Sequence, residues 1–303
     1  MDKQTLTVAG LPVNIFSLKP AADGTPPKPV AILFLLHGRT SRADHVELVA
    51  KAVLDEVHAR GAEHAGKDLW VVTFDHRNHG ARVVDGAANR AWDDGLVGGR
   101  NDRHAIDMYA IQTGTAQDVS FLIDFLPAYR MHSHNAYECI LYLFPGAERV
   151  VSDWLVGGIS LGGHSTWITL KNEPRVKLGI PIIGCPDYLA LITPRAEQSK
   201  VPIAPPYFPK SLLEYVAAHD PAAAPHTAAD AANPFRGKKV LVLCGGADTL
   251  VPWAASRPFV DALDVGPGGV KEVVVEDGVG HACSPAMVAA AARFLWENVL
   301  ERK

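Results

Sequence analysis

Apolar positions in this chain fall into short continuous blocks separated by polar, helix-spaced stretches. Val30–Leu36 is apolar throughout at strand length, and Leu69–Phe74, Val176–Ile183, Lys239–Cys244 and Val270–Val275 also read as strands. Continuous runs of this kind belong to parallel strands covered on both faces. Residues 5–18 instead alternate around Gly10-Leu11-Pro12, which predicts an antiparallel hairpin. The intervening stretches keep helical spacing. Val46, Val49, Ala50, Val53 and Val57 share one face of a helix that starts near Asp44, with Glu47 as its capping-box partner. Residues 103–126 form a second helix, with Val119, Leu122, Ile123 and Leu126 on one face and Gly114 as a point where it can break or bend. A terminal helix is capped by Ser284, begins at Pro285 and turns Met287, Ala291, Phe294 and Leu295 inward. Strands alternating with helices predict a mostly parallel α/β sheet with helices on both faces.

Three segments do not fit this alternation. Ala81–Asp102 is a polar loop carrying Trp92, Gly95, Gly98 and Gly99. Met131–Val151 is apolar and aromatic without a clean period and reads as an insertion. Residues 186–235 turn rich in proline and alanine, with one helix expected around Ser211–Ala218. About fifty residues are too many for a simple connection between two core strands. They predict a small lid or cap inserted into a single domain spanning 1–303.

The composition narrows the classes. Of 303 residues, 48% are hydrophobic, which is ample for a large core. The net charge is −4 without a run of either sign, arguing against a nucleic-acid partner or a polybasic membrane contact. Cys139, Cys185, Cys244 and Cys283 show no CxxC spacing, so no disulfide framework is expected. The first residues are polar, unlike a signal peptide, and no apolar run approaches the ~20 residues of a membrane span. A soluble, cytoplasmic protein is expected, with no cofactor. The sequence is silent on its oligomeric state.

The chemistry centres on Asp153–His164. Apolar residues Trp154–Val156 lead into Gly158-Ile159-Ser160-Leu161-Gly162, and helix-tolerant residues follow. Gly-x-Ser-x-Gly between a strand and a helix is a nucleophile elbow. Ser160 sits on the sharp turn, and Gly158 and Gly162, lacking Cβ atoms, let strand and helix close around it. The amides at the start of the helix, Leu161 first, point at an oxyanion formed beside Ser160. Asp248 and His281 also follow predicted strands, and in a parallel sheet such loops share one edge. The order Ser, Asp, His is that of a hydrolase triad on this architecture. Ser160 is the expected nucleophile, His281 the base and Asp248 its orienting acid. His37-Gly38-Arg39 follows the first buried strand, so the Arg39 N–H is the expected second oxyanion donor. His37 itself is expected to shape that loop, not to act as base.

These motifs together resemble the α/β-hydrolase superfamily from about Val30 to Leu300: His37-Gly38-Arg39, Gly158–Gly162, Gly245-Gly-Ala-Asp248-x-x-Val-Pro252 and Gly280-His281, in that order. Asp75-His-Arg-Asn-His-Gly80 is similar to a further loop of that superfamily. The closest branch is the small serine esterases related to dienelactone hydrolases and prolyl-oligopeptidase catalytic domains. Ser160 departs from dienelactone hydrolase, which carries cysteine there. The resemblance implies an acyl-enzyme route on a small-molecule ester, thioester or lactone, with no metal. It leaves open a small peptidase or amidase, and a non-catalytic ligand-binding use of the fold. It also implies Asp187 as an alternative acid position. His37, Trp92, Tyr188, Tyr207 and Trp253 are candidate pocket residues; His164 and Cys283 read as packing residues. His132 and His134 could contact a metal but lack a third ligand nearby.

Overall fold

The computed structural model describes residues 1–18, 28–61, 64–93, 100–131, 141–142 and 150–302. Gly95, Gly98, Gly99, His132, His134 and Cys139 lie outside them, as does most of the insertion expected at 131–151.

The hairpin is β1 (Asp2–Val8) and β2 (Leu11–Ser17), followed by β3 (Val30–Leu36), α1 (Glu47–Ala59), β4 (Asp68–Phe74) and α2 (His104–Phe125). A two-residue ladder, β5 (Arg130–Met131) with β6 (Leu141–Tyr142), precedes β7 (Val151–Ile159), α3 (Leu161–Asn172) and β8 (Val176–Ile182). Then come α4 (Tyr188–Gln198), α5 (Lys210–His219), β9 (Lys239–Gly245), α6 (Trp253–Ala262), β10 (Val270–Glu276) and α7 (Pro285–Leu295). Among the described residues one eight-stranded sheet runs β1-β2-β4-β3-β7-β8-β9-β10. It is parallel from β4 to β10, with β1 and β2 antiparallel at one edge.

The buried strands supply both layers of the core. Along β3, Ile32, Phe34 and Leu36 face a cluster built with α2, α3 and α6. Ala31, Leu33 and Leu35 face the cluster of α1 and α7. The strict two-residue period of a strand explains how one apolar run serves two faces. Each such side chain, fully buried, is worth roughly 1.5–3 kcal/mol.

Three local expectations are revised. Ala43–Val46 forms a 3-10 turn before α1, and no side chain caps either segment. Glu47 does not close a capping box; its carboxylate pairs with Lys3 at 2.6 Å. The Ala43 N–H is satisfied by Asp75 Oδ1 at 2.8 Å. Helix α2 runs unbroken through Gly114. A Cβ there would lie 2.6 Å from Cδ of the flexible Arg77 side chain, which packs across the glycine. Finally, the segment between β8 and β9 contains two α-helices, not one. Proline content argued against helix here, yet Asp187 caps α4 by accepting from the Ala190 N–H at 2.9 Å. Pro194 lies inside α4, where it removes one helical hydrogen bond. Tyr188, Ile192 and Ala196 of α4 and Leu212 and Val216 of α5 pack with Met108 and Tyr109 of α2 and Leu161 of α3. Tertiary burial of one helical face outweighs the cost of that proline.

Backbone packs closely on backbone around the start of α3. Gly162 N–H donates to His37 O at 3.0 Å, and a Cβ on Gly162 would overlap Leu36 O. A Cβ on Gly158 would in turn overlap the Gly162 carbonyl. In each case the obstacle is backbone, which cannot swing aside as a flexible side chain would. Gly162→Ala is therefore expected to destabilise by about 3 kcal/mol. Urea unfolding should show a lowered midpoint at unchanged slope, and a midpoint equal to that of the parent would contradict the close approach.

Candidate active site

Ser160 bridges β7 and α3 with φ +56° and ψ −111°, outside the ordinary regions for a residue bearing a side chain. Such a backbone costs on the order of 1–3 kcal/mol and survives because its surroundings over-determine it. Ser160 N–H donates to Ile182 O at 2.9 Å, and His164 N–H closes the first helical turn on Ser160 O at 3.0 Å. The hydroxyl therefore stands at the carboxyl end of the sheet.

Two further loops converge there. After β9, Asp248 is 5% exposed as a residue, and its carboxylate is fully buried. Oδ1 accepts the Leu250 and Val251 N–H groups at 2.9 and 2.8 Å. Oδ2 is 2.7 Å from His281 Nδ1. After β10, the segment leading to His281 is tied to the acid loop: Ala247 N–H donates to Val279 O, and Gly246 N–H to Glu276 O. His281 Nε2 lies 2.8 Å from Ser160 Oγ. With both oxygens of Asp248 accepting, Nδ1 carries the proton and Nε2 is left to accept from Ser160. This arrangement can draw the proton from the hydroxyl as the oxygen attacks an electrophile. The His281 side chain keeps about a quarter of its surface open, 24%, so the relay is reachable from solvent.

The His37–Arg39 loop flanks the same hydroxyl. A Cβ on Gly38 would lie 3.8 Å from Ser160 Cβ. His37 Nδ1–H donates to Gly38 O at 2.7 Å, and Nε2 accepts the His76 N–H at 3.0 Å. Its ring stacks on His76 with centroids 3.8 Å apart. Burial holds its pKa down at about 4, so it stays neutral and serves as a brace for the loop. His76 and His79 are also lowered, burial being the main cause. The Asp75–Gly80 segment anchors this region: Asp75 Oδ2 accepts the Ala81 N–H at 2.8 Å, and Arg77 and Arg82 both reach Asp118.

The other candidates are placed as follows. Asp187 caps α4 and is not paired with His281; Asp248 occupies that position. His164 is buried under the elbow, where its Nδ1 accepts the Cys185 N–H at 2.8 Å, and burial lowers its pKa to about 3. Cys283 packs against the α1–α7 layer, and burial raises its thiol pKa to about 11. Tyr188 is 3% exposed and donates its hydroxyl to Ala105 O, which commits it to the interface of α4 and α2 and not to an open pocket wall. Trp92 is also 3% exposed, edge-on to His104. Tyr207 is half-buried and accepts from Arg100 at 2.7 Å, and Trp253 is half-buried against the α2–α3–α6 layer. A cavity of about 360 Å³ opens between α2 and α5, lined by Tyr109, Thr113, Leu212 and Tyr215 among others. No triad residue lines it.

Sequence reasoning missed Arg195 of α4. Its guanidinium donates to Leu250 O, in the loop that carries Asp248. The signal was present, because Tyr188, Leu191, Ile192, Arg195 and Ala196 share one helical face. No helix among the described residues is long and apolar enough to cross a membrane.

The eight-stranded, mostly parallel sheet with helices on both faces is an α/β-hydrolase fold. Among solved structures, TT1662 from Thermus thermophilus is similar over 97% of both chains, with 22% identity and a TM-score of 0.64. Est1E from Butyrivibrio proteoclasticus, solved with ferulic acid bound, covers 98% of this chain and 99% of its own, with 14% identity and a TM-score of 0.58. The acylaminoacyl peptidase of Pyrococcus horikoshii is similar over all of this chain but only 42% of its own, with 12% identity and a TM-score of 0.59. No family model matches the sequence, and no curated protein matches it.

If Asp248 orients His281, Asp248→Asn should lower kcat by roughly 10⁴ through the wrong imidazole tautomer. Asp187→Asn should cost stability through its cap and leave the pH profile of turnover in place. Steady-state kinetics on both variants decides between them, and a severe kcat loss confined to Asp187→Asn would reverse the assignment.

Proposed function

We propose that this chain is a serine hydrolase that cleaves a carboxylic ester, thioester or lactone of a small substrate through an acyl-enzyme. The observation that carries the reading is the hydrogen-bonded line Ser160 Oγ–His281 Nε2, His281 Nδ1–Asp248 Oδ2, with Ser160 held at positive φ on a strand-to-helix turn. Ser160 Oγ attacks the carbonyl carbon while His281 takes its proton. The tetrahedral oxyanion is received by the Leu161 N–H, at the start of α3, and by the Arg39 N–H. His281 then returns the proton to the leaving oxygen, and water repeats the sequence to free the acid. Asp248, with both oxygens already accepting, balances the imidazolium at each stage without taking the proton itself.

Residues 186–235 act as a modest cap in this reading. Its two helices, α4 and α5, turn their apolar faces inward onto α2 and α3. A lid that docks on an interface would present an apolar face outward. Short, partly polar acyl groups are the favoured substrates. A similar structure from Paenibacillus is an acetyl xylan esterase, whereas the Pyrococcus protein is an acylaminoacyl peptidase, so likeness of fold does not choose the bond that is cleaved.

A fluorophosphonate probe should label the wild-type chain stoichiometrically and leave Ser160→Ala unlabelled, with the variant's melting temperature unchanged. Labelling that persists in Ser160→Ala, or none in the wild type, sinks the nucleophile assignment. On a series of p-nitrophenyl esters, acetate or butyrate should turn over faster than laurate or palmitate. A preference for the long chains, or a jump in rate at micelle formation, would overturn the small-pocket reading of the cap.

A further inference from the structure

Arg195 is in the wrong place for an ordinary surface arginine. In α4, Tyr188, Leu191, Ile192 and Ala196 are buried, at positions i, i+3, i+4 and i+8. Arg195 is i+7 of the same stripe, where an amphipathic helix carries an apolar residue. Its Nε is buried and has no hydrogen-bond partner. One terminal nitrogen, Nη2, donates to Leu250 O, a main-chain acceptor that needs no charge opposite it. Among the described residues, no carboxylate forms an ion pair with it.

Its surroundings are those of the catalytic centre. Arg195 lies within electrostatic reach of Asp248 after β9, of Arg39 after β3 and of His164 beneath the elbow. Two of those loops flank Ser160, and the hydrogen bond to Leu250 O holds the guanidinium against the one that carries Asp248. Asp248 favours the charged guanidinium from a distance but forms no ion pair with it, its oxygens accepting from His281 and from the Leu250 and Val251 amides. Arg39, whose side chain donates to Asn89 O, adds a second positive charge nearby. The same positive potential reaches His104, where Arg39 and Arg195 both add to the effect of burial in holding the imidazole neutral. Desolvating a cation beside another cation is costly unless an anion joins them. A planar guanidinium that no carboxylate of the described residues pairs with is suited to one from a ligand, which its fork can meet with two parallel hydrogen bonds.

We infer that Arg195 reads an anionic group on the substrate: the ester cleaved at Ser160 carries a carboxylate in its acyl or alcohol part, bound between the α4 guanidinium and the Arg39 loop. This specificity assignment rests on the hydrolase reading above, so its test is made on binding and not on turnover. In the Ser160→Ala background, monomethyl succinate places the carboxylate on the acyl side, and the butyric ester of glycolate places it on the alcohol side. Methyl butyrate is the neutral comparator. NMR titration should show at least one of the anionic esters binding tenfold or more tightly than methyl butyrate. The preference should shrink as salt is raised, since a partly open ion pair is screened. Adding Arg195→Gln should reduce it at least tenfold, and Arg195→Lys should retain part of it. Should the glutamine variant fail to fold, as judged by its melting curve, the lysine variant carries the test: a weakened preference supports the inference and an undiminished one overturns it. Equal binding of neutral and anionic esters, or a preference that survives Arg195→Gln, also overturns it. None of these readings depends on Ser160 being a nucleophile, so they stand apart from the fluorophosphonate result.

Discussion

The close approach of α3 to β3 and β7 is the constraint on which the site depends. Three backbone segments meet where Gly162 abuts Leu36 O and Gly158 abuts the Gly162 carbonyl. The hydrogen bond from Gly162 N–H to His37 O joins the turn at Ser160 to the His37–Arg39 loop, so the two cannot move independently. The positive φ of Ser160 accompanies this crowding and lets α3 begin directly after β7. The strain is local, and the packing that sustains it is spread over the buried faces of β3, β7 and α3. Stability and reactivity thus draw on the same contacts.

A second level of order comes from the parallel sheet. Ser160, Asp248 and His281 are separated in sequence by 88 and 33 residues, yet each follows a strand that ends at the same edge. Adjacent strands β9 and β10 bring the acid and base loops together, and main-chain bonds such as Ala247 N–H to Val279 O fix their spacing. Burial then removes competitors. His37, His76, His79, His104 and His164 are all held neutral by their surroundings, desolvation being the largest cause at each. His281 is left as the imidazole placed to take a proton from Ser160.

What could be read in the sequence followed from strong local signals. The strands β3, β4, β8 and β9 announced themselves as apolar runs, and Ser160, Asp248 and His281 stood out because they follow β7, β9 and β10. Signals that depend on tertiary partners were not legible. Glu47 had the spacing of a capping box, but Lys3 captured its carboxylate, and Asp75, a residue thirty-two positions from Ala43, satisfied the amide instead. Asp187 could be imagined as the catalytic acid, since only the fold shows it spent on capping α4. Helix α4 was hidden by its prolines. Propensity penalises Pro194, but the inward face of Tyr188, Leu191, Ile192 and Ala196 gains more from burial than one lost hydrogen bond removes.

That hidden helix changes how the cap is understood. Read as an extended proline-rich strap, the segment would do no more than shield the site. As a helix packed on α2 and α3, it holds its side chains in fixed directions, and one of them is a cation. Dispersion and burial set where α4 lies, through Tyr188 and Ile192; Arg195 adds one hydrogen bond to Leu250 O, while the desolvation of its charge works against that placement. A helix that keeps an arginine on its apolar stripe gives up the burial energy of a leucine there, about 2 kcal/mol. Such a loss persists where the charge has a use, and the use available at this position is electrostatic, at the mouth of the Ser160 site. Selectivity in this arrangement belongs to the cap and reactivity to the sheet, and Leu250 O is where the two touch: the carbonyl that accepts from Arg195 belongs to the same residue whose amide steadies Asp248.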